Sequence, residues 1–140
     1  MLFIKNKVRA QTSVEYMLAI AMTITFVAAI MVGGFRELEL DLALSAARMG
    51  GSDFTAINSN YTLGQINFTV NEETNVIDVQ PYFFLRGAIA VSAAELTEAK
   101  TMCFDKMRRV FRPGESEPSA DYCFDATYRR YCVSPVMTPA

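Results

Sequence analysis

The pattern of hydrophobic and polar positions begins with one long apolar stretch. Residues Met17 to Val32 carry no charge, and Gly33, Gly34 and Phe35 extend the uncharged run to 19 residues. A helix of that length spans about 28 Å, close to the ~30 Å hydrocarbon core of a bilayer. A soluble helix that is apolar on all sides needs a larger protein around it than the rest of this chain provides. The pattern therefore predicts a helix that inserts into a membrane.

The residues that follow predict a continuation of this helix. Residues 36–49 are rich in Leu, Glu and Ala, which are good helix formers and poor strand formers. As a helix the segment has two nearly opposite apolar faces, one with Leu38, Leu42, Ser45 and Met49 and the other with Leu40, Leu44 and Ala47. Two apolar faces suit a helix between two partners, its own head and neighbouring subunits. We expect one helix over residues 11–49, with a bend or flexible joint at Gly33–Gly34 and an end at Gly50–Gly51.

The remaining residues predict a small globular head. Residues 61–70 and 76–84 are typical of two strands around a hairpin loop, and residues 87–91 predict a third strand. Ser92 and Glu95 form a capping box that begins a second helix. Its apolar positions are Leu96, Ala99, Cys103, Met107 and Val110.

The C-terminal part of the head predicts one further strand. After a polar loop over residues 112–121, apolar and polar positions alternate through residues 122–133, as in a half-buried strand. We expect the tail, residues 134–140, to be irregular. The predicted fold class is α+β, a long N-terminal hydrophobic helix that carries a small β-rich globular head. The predicted domains are a basic leader (1–10), an assembly or transmembrane helix (11–50) and an extracellular head (51–140).

The charges are unevenly distributed along the chain. Lys5, Lys7 and Arg9 give the first ten residues +3 without an acid, whereas the other 130 carry 10 basic and 15 acidic residues, −5 in total. A positive segment before an apolar helix keeps the N-terminus in the cytoplasm. The small residue Ala10 precedes the apolar run, whereas the cleavage site of a secretory signal peptide follows it. A cut at Ala10 would therefore remove the leader and leave the hydrophobic helix on the mature protein.

The stretch RAQTSVEYML, residues 9–18, resembles the N-terminus of archaeal type IV pilins with a class III signal peptide. In that family a short basic leader precedes a Gly or Ala, then a Gln, and a Q-x-S-x-E-[YF] pattern opens the apolar helix. The matching positions here are Ala10, Gln11, Ser13, Glu15 and Tyr16, with Ala10 where Gly is commoner. The resemblance covers the first quarter of the chain.

The resemblance implies a function and a set of partners. A prepilin peptidase would cut between Ala10 and Gln11 on the cytoplasmic side, while the helix is inserted in the cytoplasmic membrane. An assembly ATPase and its membrane platform would then build an extracellular filament, a helical homo-oligomer used for adhesion, by packing the N-terminal helices. The alternative is an uncleaved, single-pass membrane-anchored protein whose extracellular head binds a ligand or partner.

Glu15 has a physical role in the first of these two functions. After the cut it is the fifth residue, close to the new ammonium group of Gln11. A lone carboxylate among packed apolar helices is costly, and pairing with a neighbouring subunit's ammonium reduces that cost. Such a pair also favours one axial register between subunits. Alternatively, Glu15 lies at the level of the lipid headgroups beside Tyr16.

The cysteines predict one disulfide in an extracellular head. If residues 122–133 form one strand, Cys123 and Cys132 lie about 30 Å apart, far beyond the ~7 Å limit on Cα separation. Cys132 shares the apolar side of that strand, so we predict a Cys103–Cys132 bond with Cys123 free. A turn within residues 125–130 would instead bring Cys123 and Cys132 together.

Two sequons, at Asn60 and Asn67, predict N-glycosylation if the side chains face solvent. The chain has no histidine and no Gly-rich phosphate loop. We therefore do not expect enzymatic activity, a cofactor or a metal site. Arg108, Arg109, Arg112, Arg129 and Arg130 could form a basic patch for nucleic acid. With 15 acids in the chain, a solvated surface is the better interpretation, so we expect no nucleic-acid partner.

Overall fold

The computed structural model describes residues 2–87, 90–114 and 121–139. The elements in order are α1 (Leu2–Ile57), β1 (Tyr61–Asn71), β2 (Val76–Leu85), α2 (Ala93–Phe111), β3 (Cys123–Asp125), β4 (Arg130–Val133) and β5 (Val136–Pro139). The chain divides into two compact units, one up to Leu38 and the other from Glu39 onward. The α+β class and the long N-terminal helix are confirmed.

The first unit is a helix whose described side chains all face outward. From Val14 to Leu38 each residue is exposed. Its most apolar 18-residue window has a mean hydropathy of 2.2 and is not buried, so α1 is long and apolar enough to cross a membrane. The two threonine hydroxyls in this stretch donate within the helix, from Thr23 to Ala19 O and from Thr25 to Ala21 O, both at 2.8 Å. The threonine side chains thus have hydrogen-bond partners within the helix, as an apolar environment requires.

The second unit is built on a five-stranded sheet in the order β1-β2-β4-β3, with β5 also paired to β2. The β1–β2 pair is antiparallel, as is β3–β4, whereas β4 and β5 run parallel to β2. The predicted hairpin is confirmed: Asn71 Oδ1 accepts the N–H groups of Glu73 and Thr74, and Asn75 turns the chain with a φ of 55°.

Both helices pack against one face of this sheet. Phe54 of α1 contacts Tyr61 and Phe83, with ring centroids 5.3 and 5.1 Å apart. On α2, Phe111 stacks on Tyr131, and Phe104 meets the edge of Phe124. The capping box predicted for α2 is confirmed, and its Glu95 also accepts the Tyr61 hydroxyl at 2.6 Å. Burial, and then Glu95, raise the pKa of Tyr61 to about 12.

The prediction that α1 ends at Gly50–Gly51 is wrong. The helix continues to Ile57, where Asn58 N donates to Phe54 O and the chain turns toward β1. A Cβ on Gly50 would lie 2.6 Å from the Cα of Cys103, and one on Gly51 would lie 2.9 Å from a Leu63 methyl. Both glycines therefore allow close packing. The helix also runs through Gly33–Gly34, where a flexible joint stays a prediction.

Three further expectations differ from the structure. Residues 122–133 form two strands around a turn, because β3 ends at Asp125 and β4 begins at Arg130. The tail is not irregular: β4 covers only the first part of one edge of β2, and β5 pairs with the rest of that edge. Of the third predicted strand, residues 88–89 lie outside the described residues, and Gly87, Ala90 and Val91 are not in a strand.

Candidate assembly surface and processing site

The predicted cleavage site, between Ala10 and Gln11, lies within helix α1. Ala10, Gln11 and Glu15 all fall within this helix, so removal of residues 1–10 would leave residues 11–57 as the helix of the mature chain. Gln11 and Glu15 are four residues apart, which places them on one side of the helix about 6 Å apart along its axis. Glu15 is exposed, and Arg36 is the next charged residue after it. The carboxylate is therefore isolated at the start of a long uncharged surface.

The surface after Glu15 contains an apolar groove. It is lined by large and small residues, namely Leu18, Ala21, Met22, Thr25, Phe26 and Ala29. Large side chains that alternate with Ala form the ridges and grooves that a second helix can fill. This geometry accepts either lipid chains or another apolar helix.

The part of α1 in the second unit packs against the head through small residues. Ala43, Ala46, Ala47 and Gly50 are buried together with Phe54, so the backbone approaches the sheet and α2 closely. Of the two predicted apolar faces, the one with Leu40, Leu44 and Ala47 packs against the core. On the other face, Leu38, Leu42 and Met49 are exposed.

Glu39 is a buried carboxylate that the sequence analysis did not identify. It is 6% exposed, and its Oε2 accepts the backbone N–H of Tyr128 at 3.0 Å, which ties α1 to the turn between β3 and β4. Its Oε1 and the Tyr131 hydroxyl are both buried, and neither makes a hydrogen bond of regular geometry. Burial, and then the negative charge of Glu39, raise the pKa of Tyr131. The spacing to Ala43 and Ala46 could have identified Glu39 as part of the buried face.

The cysteine pairing differs from the prediction. Cys123 is bonded to Cys132, directly opposite it in the β3–β4 register, with the two Cα atoms 4.1 Å apart. The predicted Cys103–Cys132 bond is wrong, because residues 122–133 do not form one unbroken strand. The turn at residues 126–129, closed by the Ala126 N–H on Arg129 O, brings the two cysteines together. Cys103 is the buried free thiol and hydrogen-bonds to Ala47 O at 3.6 Å. Burial raises its pKa to about 12, so it stays protonated.

Both sequon asparagines are exposed. Asn60 precedes β1, and Asn67 lies within it, opposite Gln80 of β2. Gln80 alternates with the buried residues Val79 and Pro81, so Asn67 lies on the sheet face away from the helices. A glycan there would extend into solvent.

The five arginines of the possible basic patch differ in their exposure. Arg108 is 6% exposed and contacts Asp105 at 3.5 Å. Arg130 lies beside the β1–β2 hairpin, since its N–H donates to Asn75 O at 3.2 Å, and that hairpin carries Glu72 and Glu73. Among the residues that the structure describes, no three His, Cys, Asp or Glu side chains are grouped to hold a metal ion. Comparison with protein-family models, curated proteins and solved structures found no match.

Proposed function

We propose that this chain is the precursor of a structural subunit of an archaeal type IV pilus-like filament on the cell surface. The observation that supports the proposal is α1, in which the predicted cleavage site, an isolated carboxylate and an unburied apolar surface follow one another along one helix. Exposure of that apolar surface to water is unfavourable, so it must be covered by lipid or by protein. Lipid covers it before assembly, and the helices of other subunits cover it in the filament.

Processing precedes assembly in this proposal. The positive residues of the leader hold the N-terminus in the cytoplasm, where a prepilin peptidase cuts between Ala10 and Gln11. The helix stays in the cytoplasmic membrane until the assembly ATPase and its platform transfer the subunit to the filament. The head is then extracellular, used for adhesion, and supports a disulfide and glycans at Asn60 or Asn67.

Glu15 fixes the register between subunits. The new ammonium of Gln11 and the carboxylate of Glu15 lie one helical turn apart, about 6 Å along the axis. When a neighbouring helix is displaced by that distance, its ammonium meets the carboxylate away from water, where an unpaired charge is costly. Other displacements lose this pair between subunits, so the pair favours one arrangement.

The principal competing function is a single-pass membrane anchor, because lipid alone can cover the same apolar helix. Cleavage of the leader distinguishes the two functions. The intact mass of the surface-localised protein should correspond to residues 11–140 for a pilin, before any added glycan mass. A surface protein that retains the leader contradicts the pilin proposal. Ala10→Asp should block the cut and leave the precursor in the membrane.

A substitution of Glu15 tests assembly apart from processing. Glu15→Ala should insert and be cleaved as the wild type is, yet form few or no filaments in electron micrographs, because the register pair is lost. Glu37→Ala is the matched control, since Glu37 is also an exposed carboxylate on α1 and lies outside the motif. Filaments of wild-type number and length from Glu15→Ala would restrict Glu15 to a role at the headgroups.

A further inference from the structure

The outer edge of β1 is the longest free strand edge in the described part of the sheet. β1 has 11 residues, and no described strand pairs with it on the side away from β2. Every residue from Asn67 to Asn71 is exposed, so the described chain leaves this part of the strand open to solvent. The other outer strands, β3 and β5, have only three and four residues. Unpaired backbone N–H and C=O groups on a long edge can pair with a strand of another molecule.

The sequence of β1 lacks most of the features that prevent such pairing, which include charged side chains and proline. Residues 61–71 contain no Asp, Glu, Lys, Arg or Pro, whereas β3 carries Asp125 within its three residues. The register with β2 shifts between Leu63 and Ile66, and the strand is regular beyond that shift. The window QINFTVN, residues 65–71, also lacks glycine. Uncharged windows of this length with high β-propensity are typical of strands that associate between molecules.

A sequon lies in the middle of this window. Asn67 is followed by Phe68 and Thr69, and its side chain is exposed on the face of the sheet away from the helices. The chain's other sequon, at Asn60, directly precedes β1. Both sequons of a 140-residue chain are therefore located at the one strand whose edge is long, uncharged and open.

A glycan on Asn67 would occupy the space that an added strand needs. Adjacent strands lie about 5 Å apart, and side chains directly opposite each other have Cβ atoms about 5 Å apart. Any strand that pairs along this window therefore brings one of its residues to within about 5 Å of the Asn67 Cβ. An N-linked glycan is bulky and solubilising. A second copy of β1 would bring a second glycan to the same pair of strands.

We infer that a glycan on Asn67 prevents the outer edge of β1 from pairing with β1 of a second copy of this chain. The inference rests on the extracellular head of the proposed function and gives its glycan a role, but it does not depend on filament assembly. Heads are crowded on the surface of a filament, so open edges would link one filament to the next.

Three substitutions in the sequon test this role. The full chain is expressed in a host that glycosylates its surface proteins and is extracted in detergent, and its glycans are identified from the intact mass. Asn67→Gln and Thr69→Ala each remove the sequon, and both should add dimers and higher species to the size distribution measured by sedimentation. Thr69→Ser keeps the sequon and should have the size distribution of the wild type. Two variants that remove the sequon guard against one that does not fold.

Thr69→Lys distinguishes loss of the glycan from exposure of an uncharged edge. It removes the sequon but places a charge on the strand, directly opposite Asp78 of β2, and opposite charges at paired positions are compatible with the sheet. Because lysine on an edge strand opposes pairing, this variant should lack the glycan and still have the wild-type size distribution. Asn60→Gln is the matched control for loss of a glycan elsewhere and should not associate either.

Hydrogen exchange locates the contact. In the associated Asn67→Gln protein, the backbone amides of residues 66–71 should exchange more slowly than in the dispersed Thr69→Lys protein. Association without slower exchange in β1, equal association of Asn60→Gln, or a wild-type chain without a glycan on Asn67 would each overturn the inference. If the variants stay dispersed while the wild type forms filaments, the inference is wrong and the proposed function stands. If they associate as expected but the wild type forms no filaments, the proposed function is wrong and the inference stands.

Discussion

Gly50→Ala should loosen the contact between α1 and α2. The added Cβ would lie 2.6 Å from the Cα of Cys103, 2.7 Å from the carbonyl oxygen of Met102 and 2.9 Å from the Cys103 nitrogen. Non-bonded carbon atoms prefer about 3.5–4.0 Å, so the two helices must separate by about 1 Å. All three atoms belong to the backbone, and no side-chain rotation can relieve the overlap.

The substitution has two opposing effects on stability, the overlap with α2 and the higher helix propensity of alanine. Overpacking of a core costs about 1–3 kcal/mol, or more where nothing can move. Alanine gains about 1 kcal/mol over glycine inside a helix. Because the atoms on both sides are rigid, we expect the free energy of unfolding to fall by about 2 kcal/mol. A small domain loses roughly 4–8 °C in Tm for each kcal/mol, so the head should melt roughly 8–16 °C lower.

Gly51→Ala is the matched control for this estimate. It has the same helical gain, but its Cβ meets the methyls of Leu63 at 2.9 and 3.1 Å, and that side chain can rotate. Its Tm should stay near that of the wild type. Gly33→Ala meets nothing within 4 Å and should leave the head unchanged.

The assay is thermal unfolding of the full chain in detergent, followed by near-UV circular dichroism of the tyrosines. The chain has no Trp, and its tyrosines other than Tyr16 lie in the head, so the signal reports the head. A Gly50→Ala protein as stable as the wild type, or a larger loss from Gly51→Ala, would refute the close-packing explanation.

Three other predictions concern the head. Cys132→Ser should lower stability by about 2–4 kcal/mol in chemical denaturation, because the crosslink no longer restricts the unfolded chain; unchanged stability would contradict this. For Tyr61, a pKa raised to about 12 from 10.0 means that its contribution is complete below pH 10 and is lost between pH 10 and 12. The Tm advantage over Tyr61→Phe should shrink across that range, and a constant difference would count against the shift. Asn67→Gln should remove one glycan from the intact mass of the surface protein, as should Asn60→Gln at its own site; masses that change only by the added methylene group would mean that neither sequon is occupied.

The sequence predicted elements whose signals are local. The capping box at Ser92 needs only residues within one turn of α2, and the hairpin at residues 71–75 needs only its own polar loop. The membrane-length helix follows from its residue types alone. Each of these signals lies within a short window, so no tertiary contact was needed to find it.

The errors arose where distant residues determine the local structure. Residues 134–140 looked irregular because nothing nearby shows that β2 has an unpaired edge at Tyr82–Leu85, which β5 fills. The strand pattern at residues 122–133 continued by chance through the turn at residues 126–129. That turn reverses the chain and makes Cys123 and Cys132 opposite neighbours. One missed turn therefore changed both the strand assignment and the disulfide.

Two packing requirements explain the residues of α1 from Glu39 onward. The side toward the head carries Ala and Gly, because the sheet and the backbone of α2 lie close to it. The sequence pattern predicted a helix end at Gly50 because it does not contain this contact. A glycine can end a helix, but it can also allow a close approach between two elements. The other side carries Leu42 and Met49, which are large, apolar and exposed. Under the proposed function, this exposed apolar side is available to the helices of neighbouring subunits.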